Sequence, residues 1–254
     1  MKLNLRTHIS ALCTVVAMAA VMTPAHATEL VTNGGFETTT GPGMVDYNTT
    51  VTGWTNGISV TDNAGHFGYN FLFTAGSGDT TGSNGDSGNL KLWGTNNGGN
   101  DVLTASPDGG NFLVMDGAYQ EATISQTING LIAGQQYTVS FYYAGAQQSG
   151  FNGDTTETYT VSFGGSSQTA PVLHNGSHDF TGWQQETMTF TADGTSDVLS
   201  FLAVGTPHGV PPMSLLDGVS VQAAASPVPE PASLALLMTG FAGIGGMVRA
   251  RFKK

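Results

Sequence analysis

Aromatic rings and carboxylates, set in glycine-rich stretches with scarcely a cation nearby, are the residues of this chain that could do chemistry. A ring face stacks on the C–H face of a sugar, while carboxylates and amides take up its hydroxyls. The aromatic candidates are Trp54, Trp93, Trp183, Tyr69, Tyr119 and Phe151. Trp93, Tyr69 and Phe151 stand nearest the irregular polar stretches and are the expected ligand-binding residues. Among the acids, Asp217 interrupts an alternating run of Leu215, Val219 and Val221, where an unpaired carboxylate would be costly to bury.

Eighteen Asp and Glu oppose seven Lys and Arg. Six of those cations (Lys2, Arg6, Arg249, Arg251, Lys253 and Lys254) lie near the chain ends. Residues 28–226 therefore hold Lys91 alone against seventeen acids, a net charge near −16. Nucleic acid and anionic lipid are excluded as partners, because neither phosphate pairing nor counterion release has cations to work with. Such a surface attracts divalent cations, although solubility alone accounts for most of the acids. The sole cysteine, Cys13, lies in an apolar stretch near the start and has no assigned role, so residues 28–226 cannot form disulfides.

Signatures of catalysis are weak. Gly85-Asp86-Ser87-Gly88 places a serine beside a carboxylate, but Asn89 follows and no histidine has a matching context; a chance occurrence in a Gly/Ser/Asp-rich loop explains it. His174-Asn175-Gly176-Ser177-His178-Asp179 offers two imidazoles and a carboxylate, yet the Asn-Gly turn breaks the helical spacing of a zinc motif. There is no G-x-S-x-G, nucleotide loop or cysteine nucleophile. Seventeen acids make some carboxylate pair inevitable, which leaves a glycosidase dyad open.

The elements that must position these residues alternate with period two. Tyr137-Val139-Phe141-Tyr143, Ala122-Ile124-Ile128, Tyr159-Val161-Phe163 and Met188-Phe190 read as half-buried strands. Val198 to Val204, apolar on both faces, reads as a central strand, and Leu215 to Val221 as the last. Asn129-Gly130, Ala133-Gly134, Asn152-Gly153, Asn175-Gly176 and Asp193-Gly194 supply turns. His66 to Gly110 reads as long loops around one strand at Leu90-Lys91-Leu92-Trp93. With no convincing 3.6-residue period and no repeat, the body is expected to be an antiparallel β-sandwich.

The two ends carry addresses. Lys2 and Arg6, the apolar run Ile9 to Met22, and Ala25-His26-Ala27 form a signal peptide over residues 1–27 with cleavage expected after Ala27. At the other end Val228-Pro229-Glu230-Pro231 precedes an uncharged run, Ala232 to Val248, and a terminal Arg/Lys cluster. Seventeen residues is the lower edge of a membrane-spanning helix, and the cations hold that end in the cytoplasm. This tail, residues 227–254, closely resembles the PEP-CTERM sorting signal of Gram-negative bacteria that export a polysaccharide matrix. The resemblance implies passage through the secretion translocon and transient anchoring in the inner membrane. It further implies recognition of Pro229, Glu230 and Pro231 by an exosortase, then release to the surface or matrix.

Residues 28–226 resemble the galactose-binding-domain-like jelly rolls. Leu30-Val31-Thr32-Asn33-Gly34-Gly35-Phe36-Glu37 with Trp54 is similar to that superfamily's opening strand. Pro107-Asp108-Gly109-Gly110-Asn111-Phe112-Leu113, Gly182-Trp183 and Leu216-Asp217-Gly218-Val219 match later segments in order and spacing. The resemblance implies an eight-stranded antiparallel jelly-roll β-sandwich, with Trp54 and Trp183 in the core. It also implies a structural calcium between the first and last strands, held here by Glu37 and Asp217. The expected function is non-catalytic binding of extracellular polysaccharide. A purely structural surface protein without a ligand is the alternative, and a polysaccharide-active hydrolase the third reading.

Overall fold

A strand with one apolar face needs a second sheet to cover it, and the computed structural model shows how the chain supplies one. The structure describes residues 28–61, 64–85 and 88–225. The expected signal peptide with its Ala27 cleavage point, the Pro229-Glu230-Pro231 element and the 232–248 span lie outside the described residues, as do Asp86 and Ser87. In chain order the described strands are β1 (Gly43–Met44), β2 (Thr55–Asn56), β3 (Asn70–Phe73), β4 (Ser83–Gly85), β5 (Gly88–Leu90), β6 (Phe112–Asp116) and β7 (Ile124–Asn129). They continue as β8 (Gln136–Gln147), β9 (Thr155–Phe163), β10 (Ser166–Thr169), β11 (Leu173–Asn175), β12 (Gln184–Thr191), β13 (Ser196–Thr206) and β14 (Pro212–Ala223).

One sheet runs β1-β3-β6-β14-β8-β12 and the other β10-β9-β13-β7-β2, with β11 also paired to β9 and a separate β4-β5 hairpin. Every named strand pairing is antiparallel. Neighbours distant in sequence, such as β6 beside β14, make this a jelly-roll β-sandwich. The inner faces interdigitate as the alternation requires: Tyr137, Val139, Phe141 and Tyr143 of β8 share one core with Tyr159, Val161 and Phe163 of β9 and Leu199 and Phe201 of β13. Phe141 meets Phe201 edge-on at 5.1 Å and 81°. The buried Tyr159 hydroxyl donates to the Ser214 carbonyl at 2.8 Å.

The first sheet is covered on its outer face as well. Phe71, Phe73, Val114, Ala144, Ala146, Met213 and Leu215 form a second apolar cluster with Leu90, Leu92, Phe112 and Phe180. Asp79 ties down the covering chain, accepting the Asn96 backbone N–H and side-chain amide at 3.0 Å each. Asn97 donates to the carbonyls of Asp79 and Leu92. The stretch from His66 to Gly110 is therefore not loops around one strand: it holds β3, fully buried within the main sheet, and the β4-β5 hairpin. Conversely, β13 is central in its sheet but not buried on both faces, since Val198 is 54% and Val204 37% exposed. The strands buried throughout are β1, β3 and β6 of the covered sheet.

The last strand also departs from its expected single apolar face. Pairing between β14 and β8 shifts register between Asp217 and Ser220, around a left-handed Gly218 (φ 58°). Before this bulge Leu215 belongs to the outer cluster; after it Val219 and Val221 belong to the inner core. Asp217 therefore shares a face with Leu215 rather than with the valines. Leu30 to Glu37 is an irregular segment rather than a strand, bonded to β14 through Leu30 N–H to Val221 O and Val219 N–H to Gly34 O, each 3.0 Å.

Toward the β11 side, the inter-sheet layer contains a polar inclusion. Glu157 is fully buried; one carboxylate oxygen accepts the Thr155 hydroxyl, and Oε2 has no partner. Asn175 Oδ1 and Ser214 Oγ are likewise unpaired and buried. A side chain on Gly145 would place its Cβ 2.6 Å from Glu157 Oε2, so glycine leaves room for the carboxyl. Burial pushes that carboxyl up from 4.5 to about 8.

Candidate functional site

Where β3 begins and β6 ends, the chain must turn without burying bare backbone groups, and a carboxylate does that work. Asp116 Oδ1 accepts the N–H groups of Ala118 (2.8 Å) and Tyr119 (3.1 Å), a side-chain-capped turn. Tyr69 is locked beside it: its N–H bonds Gln120 O at 2.9 Å and its carbonyl accepts the Asp116 N–H at 3.1 Å. Gly117 sits against the end of β13, where a Cβ would approach Gly205 N to 2.5 Å. Its own N–H bonds Pro212 O at 3.0 Å.

These contacts frame a cavity of about 490 Å³ at the end of the first sheet, within the range of small-ligand pockets. Tyr69, Asp116 and Tyr119 line it together with Gln148, Phe151, His208 and Pro211. The Tyr69 and Tyr119 rings meet at 5.6 Å and 78°, giving two walls nearly at right angles. Tyr119 is 54% and Phe151 37% exposed, while Tyr69 is 4% exposed and forms the inner wall.

Of the three expected ligand-binding residues, Tyr69 and Phe151 line this cavity and Trp93 does not. The half-buried Trp93 stands behind it: its indole N–H donates to the Phe151 carbonyl at 2.8 Å, and its ring lies 4.1 Å from that of His178. His178 in turn reaches Asn152 Oδ1 at 2.6 Å. Trp93 is thus placed to position the Phe151 loop. Trp54 is buried against Phe36 and Phe201, as expected of a core residue. Trp183, expected in the core, is half-buried over the outer cluster instead, donating to Thr104 O at 3.0 Å and meeting Phe112 edge-on.

Sequence reasoning passed over Asp116, Gln148 and His208. Asp116 carried the same signal as Asp217, a carboxylate ending an apolar run, here Phe112 to Met115. It is 2% exposed and its Oδ2 has no hydrogen-bond partner. Burial pushes its carboxyl up to about 7; the Ala118 and Tyr119 N–H groups draw it down, Glu121 raises it and His208 lowers it.

The expected calcium residues lie elsewhere, where the Leu30–Glu37 segment meets the β14 bulge. Asp217 is fully buried; Oδ1 accepts Gly218 N–H at 2.7 Å and Oδ2 has no partner. Burial pushes its carboxyl up to about 7, against the pull of the Ser106 hydroxyl and Gly218 N–H, with Asp108 and Glu37 pushing it further up. Glu37 Oε1 accepts Asn111 N–H at 2.6 Å. Glycines clear this floor: a Cβ on Gly35 would lie 2.6 Å from Asp108 Oδ2 and 3.9 Å from Asp217 Oδ1, and one on Gly110 would overlap Glu37. Among the described residues no three His, Cys, Asp or Glu side chains group closely enough to hold a metal on their own. An orphaned buried carboxylate oxygen beside other acids, hydroxyl and backbone oxygens nonetheless suits calcium, which completes its shell with carbonyls and water.

The His174–Asp179 stretch does not assemble a zinc set. His178 stacks on Trp93, and Asp179 accepts the Asn100 amide at 2.6 Å. Gly85 and Gly88 pair across the tip of the β4-β5 hairpin.

Comparison with known proteins follows the same division. Residues 227–251 match the PEP-CTERM protein-sorting motif, which marks the chain for export and membrane-anchored sorting. No curated protein matches the chain. Similar solved structures include TmCBM61 in complex with β-1,4-galactotriose, at 14% identity and TM-score 0.38 over 78% of this chain and 100% of that one. The CBM22-1 xylan-binding domain of Paenibacillus barcinonensis Xyn10C is similar at 12% identity and TM-score 0.36, over 79% and 97%. Likeness at this level carries no ligand preference across. Residues 84–221 match the model described as a protein of unknown function, DUF642. That match spans more than half of the chain, which therefore belongs to the DUF642 family.

Proposed function

We propose that this protein is a non-catalytic glycan-binding protein of a Gram-negative cell surface or its extracellular matrix, released there after exosortase processing, with the Tyr69–Tyr119–Phe151 cavity as its ligand site. The supporting observation is the cavity's composition: three aromatic side chains lining it together with a carboxylate, an amide and an imidazole. Ring faces take the apolar side of a pyranose, and Asp116, Gln148 and His208 offer partners for its hydroxyls. Glycoside hydrolysis takes two carboxylates, and Asp116 is the one carboxylate among the described lining residues. We further assign calcium to Glu37 and Asp217 as a structural ion pinning the Leu30–Glu37 segment to the β14 bulge.

The test is retention of the full chain on the matrix polysaccharide of its own producer, compared with Phe151→Ala and Tyr119→Ala. Retention lost in both variants, with unchanged melting temperatures, supports the reading. Undiminished retention would move the site elsewhere, and no retention of the parent would favour a purely structural surface protein.

A further inference from the structure

Three features of the cavity suit a positive charge. Its Tyr119 and Phe151 rings are 54% and 37% exposed, and Tyr119 stands at 78° to the buried Tyr69 behind it. An ammonium among such faces is held by their quadrupoles. The Asp116 carboxylate lies beneath the same cavity, its Oδ2 closed to solvent and without a hydrogen-bond partner, and the described residues contain one lysine and no arginine to supply a counter-charge. The body around it has a net charge near −16, which repels uronate, sulfate or phosphate polymers and draws in a polycation.

Resting on the reading of this cavity as a glycan site, we propose that its ligand is an amino sugar in the ammonium form, as in a de-N-acetylated hexosamine polymer. The ammonium sits at the Tyr119 and Phe151 rings above the buried Asp116 carboxylate, drawn to it across the cavity floor rather than by direct contact. A lysine side chain presents the same head group, but its methylene stem would leave Gln148 and His208 unused, whereas ring hydroxyls use both. An N-acetylated sugar adds bulk and leaves the carboxylate without a counter-charge. The ionisable neighbours of Asp116 are Glu121, which reinforces the preference for a cation, and His208, which opposes it when protonated. Binding an ammonium holds Asp116 ionised, so below about pH 6, where the sugar amine is already protonated and Asp116 still carries its proton, the complex should release a proton.

The test is calorimetry on the full chain in mild detergent. The probes are a β-1,4-glucosamine hexamer, the N-acetylglucosamine hexamer, polyglucuronate and hexalysine. The glucosamine hexamer should bind about tenfold or more tightly than its acetylated form, weaken with added salt, and release a proton on binding. Asp116→Asn, whose amide oxygen still accepts the Ala118 and Tyr119 N–H groups, should bring that preference to within about twofold. Phe151→Leu keeps apolar bulk without a π face and should lower it independently, which preserves the test if the Asp116 variant does not fold. Equal affinity for the two hexamers, or a preference untouched by either variant, overturns the amino-sugar assignment while leaving the glycan reading intact. Hexalysine binding as tightly as glucosamine hexamer overturns it in favour of a protein partner. If no saccharide binds, the glycan reading itself falls.

Discussion

Replacing Glu157 by glutamine should flatten part of the protein's pH dependence of stability. The carboxyl moves from an ordinary 4.5 to about 8 in the fold because burial disfavours its charge. A native-state pKa above the unfolded one means the folded protein holds its proton longer. Stability is full below 4.5, falls as pH rises, and levels off above 8. At about 1.4 kcal/mol per pH unit the whole loss is about 4–5 kcal/mol, of which roughly 4 falls between pH 5 and 9. Glutamine does not titrate and carries no charge to desolvate. Asp116 and Asp217, each raised to about 7, contribute slopes of the same sign, so the informative quantity is the difference between variant and parent. Urea unfolding of residues 28–226 at pH 5, 7 and 9, with chelator present, measures it. Glu157→Gln should be the more stable by about 3 kcal/mol or more at pH 9 and close to the parent at pH 5. A difference below about 1 kcal/mol at pH 9 would refute the desolvation argument and imply that a bound ion or water relieves Glu157.

Other perturbations address the remaining sites. Millimolar-range calcium should raise the melting temperature by about several degrees over chelator or ionic-strength-matched magnesium; Asp217→Asn should abolish most of that response, and an equal effect of magnesium would count against the ion. Because calcium holds Asp217 ionised, it should also reduce the fall in stability with pH, an effect urea curves with and without calcium would reveal. Trp93→Ala should weaken polysaccharide retention by freeing Phe151 while costing about 1–2 kcal/mol, and the half-buried Trp183→Ala about 2–4, both below a full core truncation; retention unchanged in Trp93→Ala would dismiss its positioning role. Deleting residues 227–254 should leave the body in the soluble periplasmic fraction, whereas Glu230→Ala should trap a membrane-bound, unprocessed form, as fractionation and mass of the product would show.

The strands that alternate were legible, and the places where the chain bends out of register were not. β8, β9 and β12 declared themselves because buried residues alternate with exposed or half-buried ones along Tyr137–Tyr143, Tyr159–Phe163 and Met188–Phe190. β3 did not, because Phe71, Leu72 and Phe73 are buried on both sides and show no period. β13 misled in the opposite sense: its apolar outer residues suggested cover, but Val198 and Val204 face solvent. Asp217 was rightly singled out as a buried acid, yet its face was misassigned because a one-glycine bulge reverses the alternation after it. The cavity was half visible. Tyr69 and Phe151 were found from their proximity to loops, whereas Asp116 was passed over because turn capping by a carboxylate looks ordinary until its second oxygen proves to have no partner.

The length of β14 fixes a polarity. Twelve residues of strand extend about 35–40 Å. Pro211, just before the strand, lines the cavity, while Val221 near its other end receives Leu30, so both ends of the described body lie at the pole opposite the mouth. The proposed ligand cavity and the ends of the described body therefore lie at different poles, separated by several Debye lengths at physiological salt. On the proposed reading, a polymer held at the cavity would leave the opposite pole of the described body free, so sorting would not need to wait for an empty site, nor capture for release.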